Sequence, residues 1–339
     1  MLSQTPRVSA IVAARNAAPT LARCLDALLA QATDEVELIV VDDHSTDETR
    51  AIALRYPVKL IELQQHAGVS AARNRGAEAA RGELLFFLDA DVILAPGGMR
   101  RVLATMSRPE VGALIGSYDA YPDDVSIVSQ FKNLAHHYFH QHSHLEATTF
   151  WGACGAVRRE CFFAAGGFDE KRFKLPSIED VELGYRLIDQ SVRIVLDPAL
   201  QVKHLKKWNL ASLVATDVVR RAIPWTLLWM ERRRPHHDLN FSYDQRIAAM
   251  MSVALVLAIL LSLANPYLWI VVGALLIVAY QLNRGLFMLL TKGGPRLAIA
   301  GFFLQQLYYL YSLFGLAMGS ALYFVRSFSR RQGHPLKET

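Results

Sequence analysis

ELLFFLDAD, residues 83–91, is the stretch on which the fold turns. Leu84 to Leu88 is almost continuously apolar and follows a Gly82 breaker, which predicts a short buried parallel strand. Asp89 and Asp91 then fall at its carboxyl end, where open α/β sheets bind ligands. Two carboxylates one residue apart can meet a hard divalent cation that carries a diphosphate, because Mg²⁺ and Mn²⁺ favour oxygen ligands and bridge phosphates. The competing reading is a solvated turn. The sequence upstream weighs against it.

A first strand is expected at Val8–Ala13, ahead of Arg15-Asn16 and a helix opening near Pro19-Thr20. A second, Val36–Val41, ends in Asp42-Asp43 and is followed by Ser45-Thr46-Asp47-Glu48, which reads as a capping box. A third, Val58–Leu63, leads into Gly68 and a helix carrying Arg73. Strand and helix alternate as far as Asp91, the pattern of a right-handed parallel sheet. Asn16, Asp43, Arg73 and the Asp89/Asp91 pair all lie at carboxyl strand ends or just beyond them, so one crevice accounts for them.

Five segments, in order and spacing, give the chain a specific resemblance. VSAIVAARNA (8–17), ELIVVDDHSTDET (37–49), GVSAARNRGAEAARGELLFFLDAD (68–91), GACGAVRRECFFAAGGFDE (152–170) and IEDVELGYRL (178–187) resemble the family 2 glycosyltransferases of the GT-A fold. The likeness covers roughly residues 7–210. It implies an α/β domain with a mostly parallel sheet flanked by helices, a nucleotide-diphosphate-sugar donor, Mg²⁺ or Mn²⁺, and transfer with inversion at the anomeric carbon. Ala13 stands where the family usually has Pro, and His66 where Asn is common.

The resemblance also implies roles. Ala13, Arg15, Asn16, Asp43, Gly68, Arg73, Asp89 and Asp91 would line the donor site, with Asp43 at the base or ribose and Arg73 at the nucleotide or its phosphates. Asp91 would hold the metal, Asp89 would act through ribose or a metal-bound water, and His204 would be a third ligand. Gly152 and Ala153 would line the sugar and acceptor sites, with Glu179 as an acceptor contact. Asp180 would be the general base, since inverting transfer to a hydroxyl needs an ionised carboxylate within reach of the attacking oxygen. Read without the resemblance, Glu179 and Asp180 are also ordinary dipole partners at a helix start. A single His such as His204 is more often structural than a ligand. His136, His140 and His144 share helical spacing, but Phe131, Tyr138 and Phe139 around them favour an amphipathic element over a zinc site.

Composition extends the picture beyond the sheet. The 339 residues are 52% hydrophobic, and the excess lies after residue 246. Uncharged apolar stretches at 247–264 and 297–325, and an apolar pair at 268–282 and 286–290, predict about three membrane helices. Residues 326–339 form a basic tail. Residues 211–246 interleave Trp225 and Trp229 with Arg220, Arg221 and Arg232–Arg234, an interfacial segment that Pro224 should break or kink. No leader is expected, because the first strand begins at once. Cys24, Cys154 and Cys161 are odd in number and lack metal spacing, which suits reduced thiols.

Charge divides along the same line. After residue 226 there are eleven Lys/Arg against four Asp/Glu, whereas the whole chain is +5, so the first 226 residues are net acidic. The catalytic part therefore offers no basic stripe for nucleic acid. The reading is an integral membrane enzyme of the inner or plasma membrane, its catalytic domain (1–210) cytoplasmic, acting on a lipid-linked or glycan acceptor. A polyprenyl-phosphate acceptor, which needs no base, and a non-catalytic membrane scaffold are the alternatives. The intact Glu179-Asp180 motif speaks against the first, and the intact Asp89/Asp91/Asp180 set against the second. Three crossings would place the basic tail outside, against the positive-inside rule; the alternative is that 297–325 returns to the cytoplasmic side as a re-entrant or interfacial element, but its length and apolarity favour a crossing.

Overall fold

The computed structural model describes residues 5–173, 175–232 and 243–331. In chain order its elements are β1 (Val8–Ala14), α1 (Leu21–Leu29), β2 (Val36–Asp42), α2 (Thr49–Ala53), β3 (Lys59–Glu62), α3 (Val69–Ala79), β4 (Leu84–Asp89), β5 (Val92–Leu94), α4 (Gly98–Met106), β6 (Ala113–Tyr118), α5 (Ile127–Gln141), β7 (Glu146–Ala147), β8 (Cys154–Arg158), α6 (Arg159–Ala164), α7 (Glu179–Asp189) and β9 (Ile194–His204). A second set follows: α8 (Leu210–Ala215), a π-helical stretch (Thr216–Ala222), α9 (Ile223–Arg232), α10 (Tyr243–Ser262), a 3-10 turn (Pro266–Leu268), α11 (Trp269–Leu282), α12 (Arg284–Thr291) and α13 (Pro295–Arg331). The chain forms two units. One comprises residues 1–124 and 139–206, the other 125–138 and 207–339.

The first unit is built on a nine-stranded sheet ordered β3-β2-β1-β4-β8-β6-β9-β5, with β7 on β9. β3, β2, β1 and β4 are parallel, and β8 joins β4 antiparallel. The apolar run at 84–88 is continuous because both sheet faces are covered. Leu84, Phe86 and Leu88 pack into one core with Val8, Val12 and Val40, while Leu85 and Phe87 enter the other with Ile11 and Ile39. Phe87 sits among Phe150, Phe162 and Phe168, a cluster whose truncation costs about 3–5 kcal/mol per ring. α7 lies close on this face because Gly184 has no Cβ; one would fall 2.2 Å from the Phe150 amide.

The expected capping box at Ser45–Glu48 does not form. Ser45 is held by Asp42, and α2 opens at Thr49, whose amide is met by Asp47 at 3.0 Å. The strand-end carboxylate is the stronger partner for the hydroxyl.

The second unit is helical. Pro224 neither breaks nor ends its helix: the π-helical turns before it shift the backbone ladder, and Pro224 falls at the second position of α9, where its missing N–H is tolerated. α10 and α13 are each long and apolar enough to cross a membrane. The expected middle segment is instead bent by 78° between α11 and α12. Arg233, Arg234 and the tail beyond residue 331 lie outside the described residues.

Candidate active site

The parallel strands deliver their carboxyl ends to one edge of the sheet, with β1 flanked by β2 and β4, so the chain changes direction beside β1. The loops after β1 and β2 are tied together. Asn16, in a left-handed conformation (φ 49°), accepts from the Thr46 amide at 2.8 Å and donates its own amide to Ser45 at 2.9 Å. Asn tolerates that conformation better than most side chains. Ala17 N–H reaches Thr49 Oγ1 at 2.7 Å, extending the seam.

Asp43, 3% exposed, spends its carboxylate on the loop before α3. It accepts from the Ala67 amide (2.7 Å), the Gly68 amide (3.0 Å) and His66 Nδ1 (2.8 Å). Gly68 takes φ 97°, which a side chain would oppose. His66 Nε2 lies 3.1 Å from Arg15 Nη1. A guanidinium only donates, so Nε2 must accept and the imidazole proton must sit on Nδ1, facing Asp43. Arg15 and His66 are exposed at this end of the crevice, and the buried Asp43 stands behind them.

Arg73 is buried, 3% exposed, and turned into the protein. It donates to Asp89 Oδ1 at 2.7 Å and to Glu179 Oε1 at 2.9 Å. Burial favours loss of its proton, but Asp89, Glu179 and Asp180 outweigh burial and keep the guanidinium firmly charged. Burial pushes Asp89 above the usual carboxylate range; Arg73 opposes this, and Asp91 and Glu179 add to it.

Asp91 faces another way. Pairing of β5 with β9 sets Val92 opposite His204, which brings His204 Nε2 to 3.6 Å from Asp91 Oδ2. Tyr118 stacks on the His204 ring at 4.6 Å and fixes its plane. Burial pushes Asp91 up, but the nearby His204 imidazole and the charge of Lys206 outweigh it and hold the carboxyl below its ordinary value. Among the described residues no three carboxylate, imidazole or thiol groups converge on one point. A carboxylate oxygen with an imidazole nitrogen nonetheless suits Mn²⁺ or Mg²⁺, ions that take one or two protein ligands and complete their shell from substrate phosphates.

Asp180 is the second residue of α7 and is held by two amides. Gly152 N–H donates to Oδ2 at 3.0 Å and Val181 N–H to Oδ1 at 2.8 Å. Burial and then the adjacent Glu179 push it up to about 6, against Arg73 and the two amides. Gly152 also makes room for Arg73. A Cβ there would sit 2.7 Å from Arg73 Cζ, so the guanidinium needs a glycine beneath it. Ala153 C=O accepts from the Asp89 amide at 3.4 Å. Glu179, 4% exposed, turns both oxygens inward, to Arg73 and to the Ser177 amide at 2.8 Å. Ala13 lies at the end of β1 in register with Asp89.

Structure thus brings Asp89, Asp91, Arg73, Asp180, Glu179, Gly152 and His204 to one end of the crevice, and Arg15, Asn16, Asp43 and Gly68 to the other. Sequence reading did not single out Tyr118 or Trp151. Trp151 packs edge-on to Tyr118 at 5.0 Å and to His140 at 5.3 Å, directly before Gly152. Its neighbour Gly152 was the available signal. His140 is buried and bonded to the Gly116 carbonyl at 3.0 Å, which makes it part of the core.

Residues 9–163 match the model of glycosyl transferase family 2. That segment, a little under half of the chain, carries the family's signature. Its relatives include the O-antigen biosynthesis protein RfbC of Myxococcus xanthus, 33% identical over 223 residues covering 59% of this chain and 17% of the relative. Another is the succinoglycan biosynthesis protein ExoO of Rhizobium meliloti, 40% identical over 105 residues, 30% of each. The chain therefore spans less than a third of the length of either. A solved mannosyltransferase from Pyrobaculum calidifontis, in complex with GDP-Man and Mn²⁺, superposes with a TM-score of 0.58 at 19% identity, covering 92% of this chain and 87% of that one. It shares the GT-A fold with this family 2 domain.

Proposed function

We propose that the protein is a membrane-bound, inverting glycosyltransferase that moves a sugar from a nucleotide-sugar donor to a hydroxyl of a lipid-linked or membrane-proximal acceptor in cell-envelope glycan synthesis. The observation that carries this reading is Asp180, held by the Gly152 and Val181 amides with its proton affinity raised to about 6, beside Glu179, which Arg73 links to Asp89. Such a carboxylate is mostly ionised at neutral pH yet basic enough to take a proton.

The chain's own groups divide the work. Asp180 accepts the acceptor hydroxyl proton as the oxygen bonds the anomeric carbon, while the nucleoside diphosphate leaves from the opposite face. Arg73 fixes the spacing between Asp89 and the Glu179-Asp180 pair. Arg15, positioned by His66, presents donors to the nucleotide. Asp91 and His204 would hold Mg²⁺ or Mn²⁺ together with the diphosphate. When bound, the ion neutralises charge that builds on the leaving group.

The roles of RfbC and ExoO in O-antigen and succinoglycan biosynthesis, and the GDP-Man and Mn²⁺ of the mannosyltransferase complex, support the same reading. A phosphate acceptor would leave the raised, amide-held Asp180 with no proton to accept. The test is a panel of nucleotide sugars with the purified full-length chain, scored for Mn²⁺-dependent donor turnover and for transfer to extracted lipid-linked glycans. Turnover that persists undiminished in Asp180→Asn would overturn the hydroxyl-acceptor mechanism.

A further inference from the structure

Two helices have the length to cross a membrane, yet their surroundings differ. α10 and α11 form an antiparallel hairpin whose distal core is its own, Leu255 and Ala258 packing on Val272 and Leu275. Val256, Leu257, Leu260, Ile270 and Ile277 are exposed around it. At about 1.5 Å per residue, α10 and the 266–282 segment measure roughly 30 and 25 Å, which suits a bilayer core of about 30 Å.

α13 meets this hairpin at its base. Tyr309 OH lies 2.8 Å from Gln245 Oε1 and 2.7 Å from Asn283 Oδ1, at the start of α10 and the end of α11, and Ser252 Oγ donates to Gln306 at 2.7 Å. The 78° bend at Asn283 turns α12 away from α11, and Phe287 of α12 packs on Phe302 of α13 at 5.3 Å. α13 therefore runs across the foot of the hairpin.

Its two faces are unlike. One packs on protein: a Cβ at Gly315 would meet Ala222 at 2.5 Å, and one at Gly319 would meet Thr226 at 2.7 Å. On this face Tyr311 OH donates to Asp217 at 2.8 Å, and Asp217 also accepts from Lys132 at 2.8 Å and pairs with Arg221 at 3.5 Å. Tyr311 is the midpoint of the uncharged stretch 297–325. Were α13 a span, this charged trio would sit at the bilayer centre, where each charge costs about 2.5–3.5 kcal/mol or more. The other face is an exposed apolar row, Ile299, Phe303, Phe314, Met318, Val325 and Phe328. It is about 44 Å long, well beyond a bilayer core.

We infer that α13 lies in the plane of the membrane interface, its apolar row in the acyl boundary and its other face, which packs on Asp217 and α9, turned away from the bilayer core. The membrane is then crossed twice, by α10 and α11 alone. Lys292, Arg296 and Arg326 all remain on the catalytic side, among anionic headgroups, as the positive-inside rule requires. The inference rests on the proposed membrane-bound enzyme but not on its chemistry.

The test is made on the full chain with Cys161→Ser as background. Ser329→Cys should resist an impermeant thiol reagent in intact cells and label after permeabilisation, while Asn265→Cys labels from outside. External labelling of Ser329→Cys, or failure of Asn265→Cys to label, overturns the two-crossing arrangement. Spin labels at 299, 303, 314 and 325 in phosphatidylcholine–phosphatidylglycerol vesicles should report one shallow depth of roughly 5–10 Å. A depth profile that deepens to the bilayer centre near 311 overturns the in-plane helix. Nucleotide-sugar turnover is scored separately, so failure here leaves the enzymatic reading intact.

Discussion

Arg73 and Glu179 are 106 residues apart in sequence and 2.9 Å apart in space, and Arg73's other terminal nitrogen holds Asp89 at 2.7 Å. One buried guanidinium thereby joins the carboxylate motif at the end of β4 to the one that opens α7. Removing it leaves Asp89, Glu179 and Asp180 facing one another without compensation. Arg73→Met is expected to lower unfolding stability by about 3–5 kcal/mol, the cost of stripping one partner from a buried ionic group. Chemical unfolding of the detergent-solubilised chain measures this, and an unchanged midpoint would show that the pairing carries no weight.

Asp180 gives a signed pH prediction. Burial and Glu179 raise it to about 6, and in the proposed role of general base it works only when ionised. kcat/KM should therefore climb about tenfold per pH unit below 6 and level off above neutrality. Glu179→Gln removes the neighbouring charge, so the acidic limb should move to lower pH. Asp180→Asn should reduce turnover by about 10² to 10⁴-fold with nucleotide binding retained. An acidic limb that stays in place in Glu179→Gln contradicts the assignment.

Gly152 is placed to report on both functions at once. Its amide orients Asp180, and its missing Cβ leaves room for Arg73 Cζ, which an alanine would meet at 2.7 Å. Gly152→Ala should cost about 1–3 kcal/mol, as overpacking does, and should lower turnover without changing affinity for a nucleoside diphosphate. Crystals or spectra showing an undisturbed Arg73 in that variant would refute the packing account.

What could be read from sequence, and what could not, divides along physical lines. The β1–β4 alternation was legible because a strand buried on both faces must be apolar at every position, as Leu84 to Leu88 are. Partners contributed from afar were not. Nothing local announces that Arg73 turns inward to Glu179, or that Ser45 prefers Asp42 over an amide, because those choices depend on which groups the sheet brings together. The adjacency of His204 and Asp91 needs the β5–β9 register. Asn283 gave no sign of a 78° bend, since the apolar residues on either side satisfy hydropathy whether the helix is straight or not. Length and apolarity alone made 297–325 read as a span, while the charges that pack on its midpoint come from α5 and the π-helical turns.

Asp89 and Asp91 look equivalent in sequence, and the structure separates them. Asp91 stands 3.6 Å from His204, whereas Asp89 is occupied by Arg73. Mn²⁺ binding in the presence of a nucleoside diphosphate, followed by electron paramagnetic resonance, should therefore fall sharply in Asp91→Asn and by about tenfold or more in His204→Ala, which on the proposed reading removes a nitrogen ligand. Asp89→Asn should instead act on the fold, costing roughly 1.5–3 kcal/mol for the lost charge-assisted bond to Arg73, with Mn²⁺ affinity little changed. If Asp89→Asn abolishes Mn²⁺ binding as completely as Asp91→Asn, then Asp89 exchanges Arg73 for the ion when the donor binds. The Arg73 pairing would then belong to the empty crevice alone.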